Sequence, residues 1–297
     1  MIKRLLAQIF IITLYLLSWL PLKPLRKIAR YVGIKLIKYD NRTINTINRN
    51  IELCFPHLSK KERAEFVQKR LACMGQTAFE MSYLWLKPVK KLNKLITNEF
   101  VNNEFKAVVK DNESIIVLVP HIGNWEMTNI YLSQFRQVTA MFKPLKNATV
   151  NRFVLKARER SGSLLLPTTG KGMGKIITAL KQDNGLVIFL PDQVPSSHSA
   201  GVFAPLFGHE AFTMTLAHKL ALKTKARVFI GAAFQRENGF AVSIRPISDG
   251  FYSLSPEESA KALNQEIENV VLEAPTQYQW EYKRYRAQPN KGASLYK

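Results

Sequence analysis

The chain has 297 residues, with 43 Lys or Arg against 22 Asp or Glu, and a formal charge of +21. At 46% hydrophobic residues it has enough apolar material for the core of one large domain or two small ones, and the charge calls for a polyanionic partner: nucleic acid, an anionic membrane face or an acidic protein. Two cysteines, Cys54 and Cys73, without CxxC spacing, exclude a disulfide framework and a structural zinc site; free thiols in a reducing compartment are expected, and the two pair only if their segments are neighbours.

Residues 5–22, LLAQIFIITLYLLSWLPL, hold no charged side chain and are about long enough to span a bilayer core. A secretory signal would end on a small-x-small cleavage site, whereas this run ends on Trp19, Leu20 and Leu22 with Pro21 and Pro24. It is expected to be an uncleaved transmembrane anchor, residues 1–22. Lys3 and Arg4 precede it; Lys23, Arg26, Lys27, Arg30, Lys35 and Lys38 follow. That excess places residues 23–297 on the cytoplasmic side of a single-pass anchor. The competing reading is a buried first helix, since Gln8, Thr13 and Ser18 dilute the run.

Residues 23–54 read as one or two basic, membrane-surface helices with the apolar stripe Ile28, Val32, Ile37, Ile44, Ile47 and Ile51. Ser59 to Glu62, SKKE, is a capping box. It opens a helix over 59–86, periodic through Phe66, Leu71, Met74, Phe79, Met81, Leu84 and Trp85. From about residue 100, short apolar runs alternate with amphipathic segments. The strands are expected at 115–119, 138–142, 163–167, 186–191, 227–234 and 240–246, and the helices at 124–135, 148–161, 171–183, 212–224 and 256–273. This alternation implies an α/β fold: a largely parallel central sheet flanked by helices, in one domain with a helical membrane-proximal part (23–99) and an α/β core (100–297).

In such a sheet, chemistry collects at the carboxyl ends of the strands. His121 stands at one such end in VLVPHIGNWEM (117–127): Pro120 closes the strand, Gly123 permits a sharp turn, Asn124 can cap the next helix and Glu126 falls in its first turn. The turn can bring Glu126 back to the imidazole as the orienter of a general base. No nucleophile accompanies them, so a substrate hydroxyl would serve. Spacing alone fits equally a satisfied strand-end histidine and a helix-start acid favoured by the macrodipole. Metal chemistry has less support: HExxH is absent, and His198, His209 and His218 lie far off without ligand spacing. Asp192 and Gln193 end another strand at LPDQ and should lie near His121, though a turn-forming Asp after Pro191 explains the residue as well.

VPHIGNWE resembles the HxxxxD/E block of glycerolipid-type acyltransferases, and in its HxGNWE form it is similar to the bacterial lipid A late acyltransferases, the lauroyl and myristoyl transferases. The likeness extends in order and spacing through KARERSG (156–162), LPDQ (190–193), GVFAPLFGHEAFT (201–213), ALKTKARV (221–228) and QWEYKRYR (279–286), and covers essentially the whole chain. The resemblance implies transfer of a fatty acyl group from acyl carrier protein to a hydroxyl of a lipid A precursor at the inner membrane. On that basis His121 is the base and Glu126 its orienter. Arg158, with Arg160 as second choice, would stabilise the oxyanion or a substrate phosphate, and Asp192 and Gln193 would belong to the pocket. Both arginines also fit a solvated basic face. Phe203, Phe207 and Thr213 would shape an acyl pocket or fill core. No metal or other cofactor is expected, because the thioester is already activated. The better-known lauroyl and myristoyl transferases carry other residues between the histidine and the acid, whereas many paralogues share the HIGNWE form, which leaves the particular acylation step, acyl length and acylated hydroxyl open.

Three alternatives remain. The acceptor could be another glycolipid or a phospholipid. The same His and acid could activate water in a membrane thioesterase or phospholipase, although no G-x-S-x-G elbow occurs. A basic nucleic-acid-binding protein would suit the charge, but no zinc-finger, RNP or helix-turn-helix pattern is found. TGKGMGK (169–175) fails as a P-loop, with Thr169 at the first Gly position and Ile176 after Lys175. No nucleic-acid partner is therefore expected; acyl carrier protein, lipid A precursor and anionic inner-membrane lipid are.

Overall fold

Ile115–Leu118 and Leu186–Phe189 are buried at every position, as strands are when both sheet faces are covered. In the computed structural model, which describes residues 2–37, 39–182, 184–289 and 292–296, they lie side by side in a seven-stranded sheet. An N-terminal helical layer precedes it: α1 (Ile2–Trp19), α2 (Leu22–Val32), which runs into a π-helical turn at Gly33–Ile37, α3 (Asn41–Cys54), α4 (Lys60–Leu86) and α5 (Val89–Asn93). There follow β1 (Ile96–Val101), α6 (Asn103–Lys110), β2 (Ile115–Leu118), α7 (Trp125–Leu132), β3 (Val138–Phe142), α8 (Ala148–Glu159), β4 (Leu164–Pro167), α9 (Gly170–Lys181) and β5 (Leu186–Phe189). The chain continues with β6 (Gly201–Leu206), β7 (His209–Met214), α10 (Leu216–Thr224), β8 (Arg227–Arg236), β9 (Gly239–Pro246) and α11 (Pro256–Glu273).

The strand order is β1-β9-β8-β2-β5-β3-β4. Every pairing is parallel except β8 with β9. Only Glu237 and Asn238 separate those two strands, which leaves room for a hairpin and none for a crossover. Side-chain alternation divides the core: Ile116 and Leu118 belong to one buried cluster with Ile176 of α9 and Ile267 of α11, while Ile115 and Val117 belong to another with Phe105 of α6 and Ile130 of α7. Each such aliphatic side chain contributes about 1.5–3 kcal/mol of burial free energy.

Several elements differ from the sequence expectation. β1 was unforeseen because its four middle residues are exposed and carry no apolar run. β6 and β7 form a separate hairpin whose two turn residues, Phe207 and Gly208, have φ of 48° and 75°; Phe is not a residue that signals such a turn. β7 takes residues 212–214, so the helix expected from 212 starts at Leu216. In α2 the buried residues are Leu22, Leu25, Arg26 and Ala29, and Ile28 of the expected apolar stripe is exposed.

The capping box at Ser59 and Glu62 forms with both reciprocal bonds. α4 and the α2 end approach backbone to backbone through Gly33 and Gly75: a Cβ on Gly75 would lie 2.2 Å from the Ala29 carbonyl oxygen, and one on Gly33 2.3 Å from that of Leu71. α1 does not stand alone as an anchor. It packs on α4 and α8, buries Ala7, Leu14 and Ser18, sets Tyr15 edge-on to Phe153, and exposes Leu5, Leu6, Ile9, Ile12, Leu16 and Trp19. Among the described residues no helix is long and apolar enough to cross a membrane. The 18 residues of α1 span about 27 Å, short of the roughly 30 Å hydrocarbon core. Lys38 and Asp183, which entered the sequence expectations, lie outside the described residues.

Candidate active site

Register brings the first pair together. β2 and β5 are parallel neighbours with Leu118 opposite Phe189; His121 and Asp192 each stand three residues further on, after Pro120 and Pro191. Asp192 receives the backbone N–H of His121 on Oδ2 at 2.8 Å and meets His121 Nδ1 through Oδ1 at 2.7 Å. Its carboxyl is 2% exposed. Burial alone would raise its pKa, but the His121 charge, the ring hydrogen bond and the backbone N–H together hold it below the ordinary aspartate value. Tyr278 lies on the same carboxylate; burial, then the Asp192 charge, pushes its phenol well above the usual tyrosine value.

The remaining ring nitrogen, His121 Nε2, is 3.3 Å from Gln193 Nε2, which also donates to Gln279 Oε1 at 3.4 Å. With Nδ1–H donated to Asp192, Nε2 carries the free lone pair. The His121 side borders a cleft of about 280 Å³ whose walls include Arg70, Met74, Thr77, Trp125, Gln277 and Glu281. A larger groove, about 730 Å³, lies on α3 and is lined by Arg42, Arg49, Arg63 and Lys283 among others. Volume does not decide here; the cleft holds the titratable ring.

The loop under the imidazole is held from several sides. Gly123 has φ +58°, and a Cβ there would lie 2.1 Å from the Ala233 carbonyl oxygen of β8, so the turn admits glycine only. The Gly123 and Asn124 amides donate to the carbonyls of Gln277 and Ala233, and the Gln279 amide donates to the His121 carbonyl.

Glu126 is not the imidazole's partner. α7 begins at Trp125 and carries the Glu126 carboxylate towards α8, where Oε1 accepts from Arg158 Nε at 2.7 Å and Nη2 at 2.5 Å. Both imidazole nitrogens already have other partners, so the expected His121–Glu126 contact is replaced by His121–Asp192. The Arg158 guanidinium lies over Trp125 at 4.9 Å, Phe142 at 5.6 Å and Trp85 at 6.0 Å from the ring centroids. His121 meets the same Trp125, ring centroids 6.1 Å apart. Trp125 is thus the shared wall between imidazole and guanidinium. Arg160 goes elsewhere: its Nη2 donates to the Leu84 carbonyl at the end of α4, and burial lowers its pKa.

Sequence reasoning missed Trp125, Arg70 and Glu80. Arg70 is 5% exposed and forks onto Glu281 at 3.0 and 2.8 Å, pinning the C-terminal segment that closes the cleft. The available signal was polar residues on the inner face of α4, where Arg70, Gln76 and Glu80 are all buried. Thr213 fills core, bonded to Asn264 and Arg284, and Phe207 packs on Phe55 and Trp280.

The model for bacterial lipid A biosynthesis acyltransferases matches residues 1–287. The chain belongs to that family. It is similar to a lipid A biosynthesis acyltransferase of Haemophilus influenzae, with 27% identity covering 95% of this chain and 88% of the relative. A palmitoleoyltransferase and a lauroyltransferase of lipid A biosynthesis from Escherichia coli are 24% and 23% identical, each over 95% of this chain and 92% of its own length. The protein is therefore an acyltransferase, and in this family the cleft at His121 is the candidate place for its chemistry.

Proposed function

We propose that the protein transfers a fatty acyl chain from acyl carrier protein to a hydroxyl of a lipid A precursor, a secondary acylation of lipid A. His121 is the general base. The observation that carries this reading is the buried Asp192 carboxylate on Nδ1, 2.7 Å away, which favours the Nδ1–H tautomer and leaves the lone pair on Nε2 as the acceptor of a proton. The acceptor hydroxyl takes the place of the Gln193 amide at Nε2 and gives up its proton as the oxygen attacks the thioester carbonyl. Asp192 stabilises the resulting imidazolium. The C–S bond then breaks, and the proton held on Nε2 leaves with the thiolate as the carrier's thiol. Gln193 is placed to donate to the developing oxyanion or to the acceptor.

Arg158, held by Glu126 and three aromatic rings with 18% of its side chain exposed, supplies a fixed positive charge beside Trp125 for the oxyanion or a substrate phosphate. In this reading Glu126 orients Arg158, and Asp192 orients the base. The thioester brings its own activation, so the chain's residues need only position, deprotonate and stabilise.

Membrane seating follows from the exposed apolar face of α1 next to Lys23, Lys27 and Arg30, all exposed on α2. Such a face enters the interface of an anionic leaflet while the basic residues meet its headgroups, at roughly 1 kcal/mol per Lys or Arg. The inner membrane with the catalytic domain on its cytoplasmic side is the place where carrier and acceptor meet. The groove on α3, where Glu52 pairs with Arg49 and Arg63 and where Arg42 and Lys283 add further positive charge, suits an acidic carrier protein.

The test is transfer of radiolabelled acyl chains from acyl carrier protein to purified lipid A precursor by membranes carrying wild type or His121→Ala. Transfer by wild type with a loss of about 10²-fold or more in the variant supports both reaction and base. Free fatty acid as the sole product would mark a thioesterase, and transfer only to other glycolipids would move the acceptor.

A further inference from the structure

Glu80 of α4 is fully buried and accepts four hydrogen bonds. Oε1 receives Arg26 Nε at 2.6 Å and Gln76 Nε2 at 2.8 Å; Oε2 receives Asn124 Nδ2 and Gln235 Nε2, both at 2.9 Å. Four donors fill the capacity of one carboxylate. Arg26, 3% exposed, turns its other N–H groups to the carbonyls of Arg236, Glu237 and Gly239 at the β8–β9 turn. One buried carboxylate thus joins α2, α4, β8 and the loop that carries His121.

Asn124 shows that this junction serves the loop as well as the core. It is the N-cap residue of α7, where an asparagine oxygen ordinarily accepts from a first-turn N–H and stabilises the helix start. Here the side chain makes no cap bond, Oδ1 has no hydrogen-bond partner among the described residues, and Nδ2 is turned to Glu80. The local benefit is forgone for a tie to the helical layer. Asn124 is three residues from His121, and Thr77, one turn before Glu80 on α4, reaches the Gly123 carbonyl at 3.3 Å.

We infer that Asn124, Glu80 and Arg26 are positioning residues, through which the seating of α2 on the domain fixes loop 121–124 and the direction of the His121 ring. The inference rests on His121 being the base. Without the Asn124–Glu80 bond the loop keeps its backbone ties to Ala233 and Gln277 and the Thr77 hydroxyl on the Gly123 carbonyl, but loses its side-chain tie to the buried carboxylate of α4. The imidazole then samples orientations in which Nε2 misses the acceptor hydroxyl.

The test uses the full-length protein in membranes, with acyl carrier protein thioester and lipid A precursor as substrates. Asn124→Ala leaves Arg26, Gln76 and Gln235 on Glu80, so the buried carboxylate stays satisfied. The expected result is a fall in kcat of about 10²-fold, the scale of misplacing a reacting group by an ångström, with both KM values within about twofold of wild type and unchanged resistance to limited proteolysis. Glu80→Gln turns an NH2 group against the NH2 groups of Asn124 and Gln235; its effect on kcat should vanish in the Asn124→Ala background, since both act through one bond. If Glu80→Gln does not accumulate, Asn124→Ala decides alone. Wild-type kcat in Asn124→Ala overturns the inference, as do additive losses in the double variant or a loss that tracks protease sensitivity. Absence of transfer by the wild type itself overturns the reading of the site, and the inference with it.

Discussion

His121 and Asp192 meet at 2.7 Å because each stands three residues past the paired ends of adjacent parallel strands, Leu118 and Phe189. Asp192→Asn keeps the shape and removes the charge, so the amide can present an N–H to Nδ1 and favour the wrong tautomer. Transfer should fall by about 10²–10⁴-fold with little change in KM. Initial rates at saturating acyl carrier protein measure this; undiminished kcat would return Asp192 to a turn-forming role.

The same carboxylate has a pH signature. Its pKa in the folded protein is below the unfolded value, so the ionised Asp192 carboxylate adds stability above the unfolded aspartate range, about pH 4, and that contribution is lost as pH falls through the lower, folded value. Urea denaturation of wild type and Asp192→Asn should therefore show a gap in stability at neutral pH that narrows on acidification below about pH 4. A gap that widens there would contradict the sign.

Glu126 and Arg158 should behave as one unit, and not as part of the imidazole's titration. Glu126→Ala leaves Arg158 held by rings alone, and Arg158→Ala leaves a carboxylate that is 3% exposed without its cation. Each single change should reduce transfer, and the double variant should fall short of the summed losses by about 0.5–3 kcal/mol of coupling. The acid limb of the pH–rate profile should stay where it is in wild type. A displaced limb in Glu126→Ala would mean that Glu126 reaches the base.

Gly75→Ala tests the backbone contact of the helical layer. A Cβ 2.2 Å from the Ala29 carbonyl oxygen forces α2 away from α4, at a cost of about 1–3 kcal/mol. Thermal unfolding should show a lowered Tm; an unchanged Tm would mean that the two helices adjust freely.

The exposed face of α1 predicts how the protein is held on membranes. Leu6→Asp with Leu16→Asp places two charges on that face, where both leucines are exposed, and should release the protein from anionic vesicles in flotation without lowering its Tm. Retention by the vesicles would assign binding to other surfaces.

The strand ends were legible in the sequence because buried parallel strands are continuous apolar runs: IIVLV and LVIFLP both stop at a proline followed by a polar residue. The capping box at Ser59 and Glu62 was legible because its bonds span only three residues. Less was legible where pairing is long-range or the pattern is atypical. The edge strand β1 has no apolar run, and Phe207 occupies a turn position that its residue type does not advertise.

The sequence by itself determined the α/β class, the family, the place of His121 at a strand end and the neighbourhood of Asp192, since these follow from periodicity, residue order and local turn chemistry. Only the tertiary structure decided which acid meets the imidazole. Five residues of separation put Glu126 close in the chain, yet the start of α7 points it at Arg158. Strand register, which no local pattern encodes, delivers Asp192 from 71 residues away. Packing likewise decided the fate of the first helix: its apolar run suits a bilayer, but contact with α4 and α8 covers one face and leaves the other open.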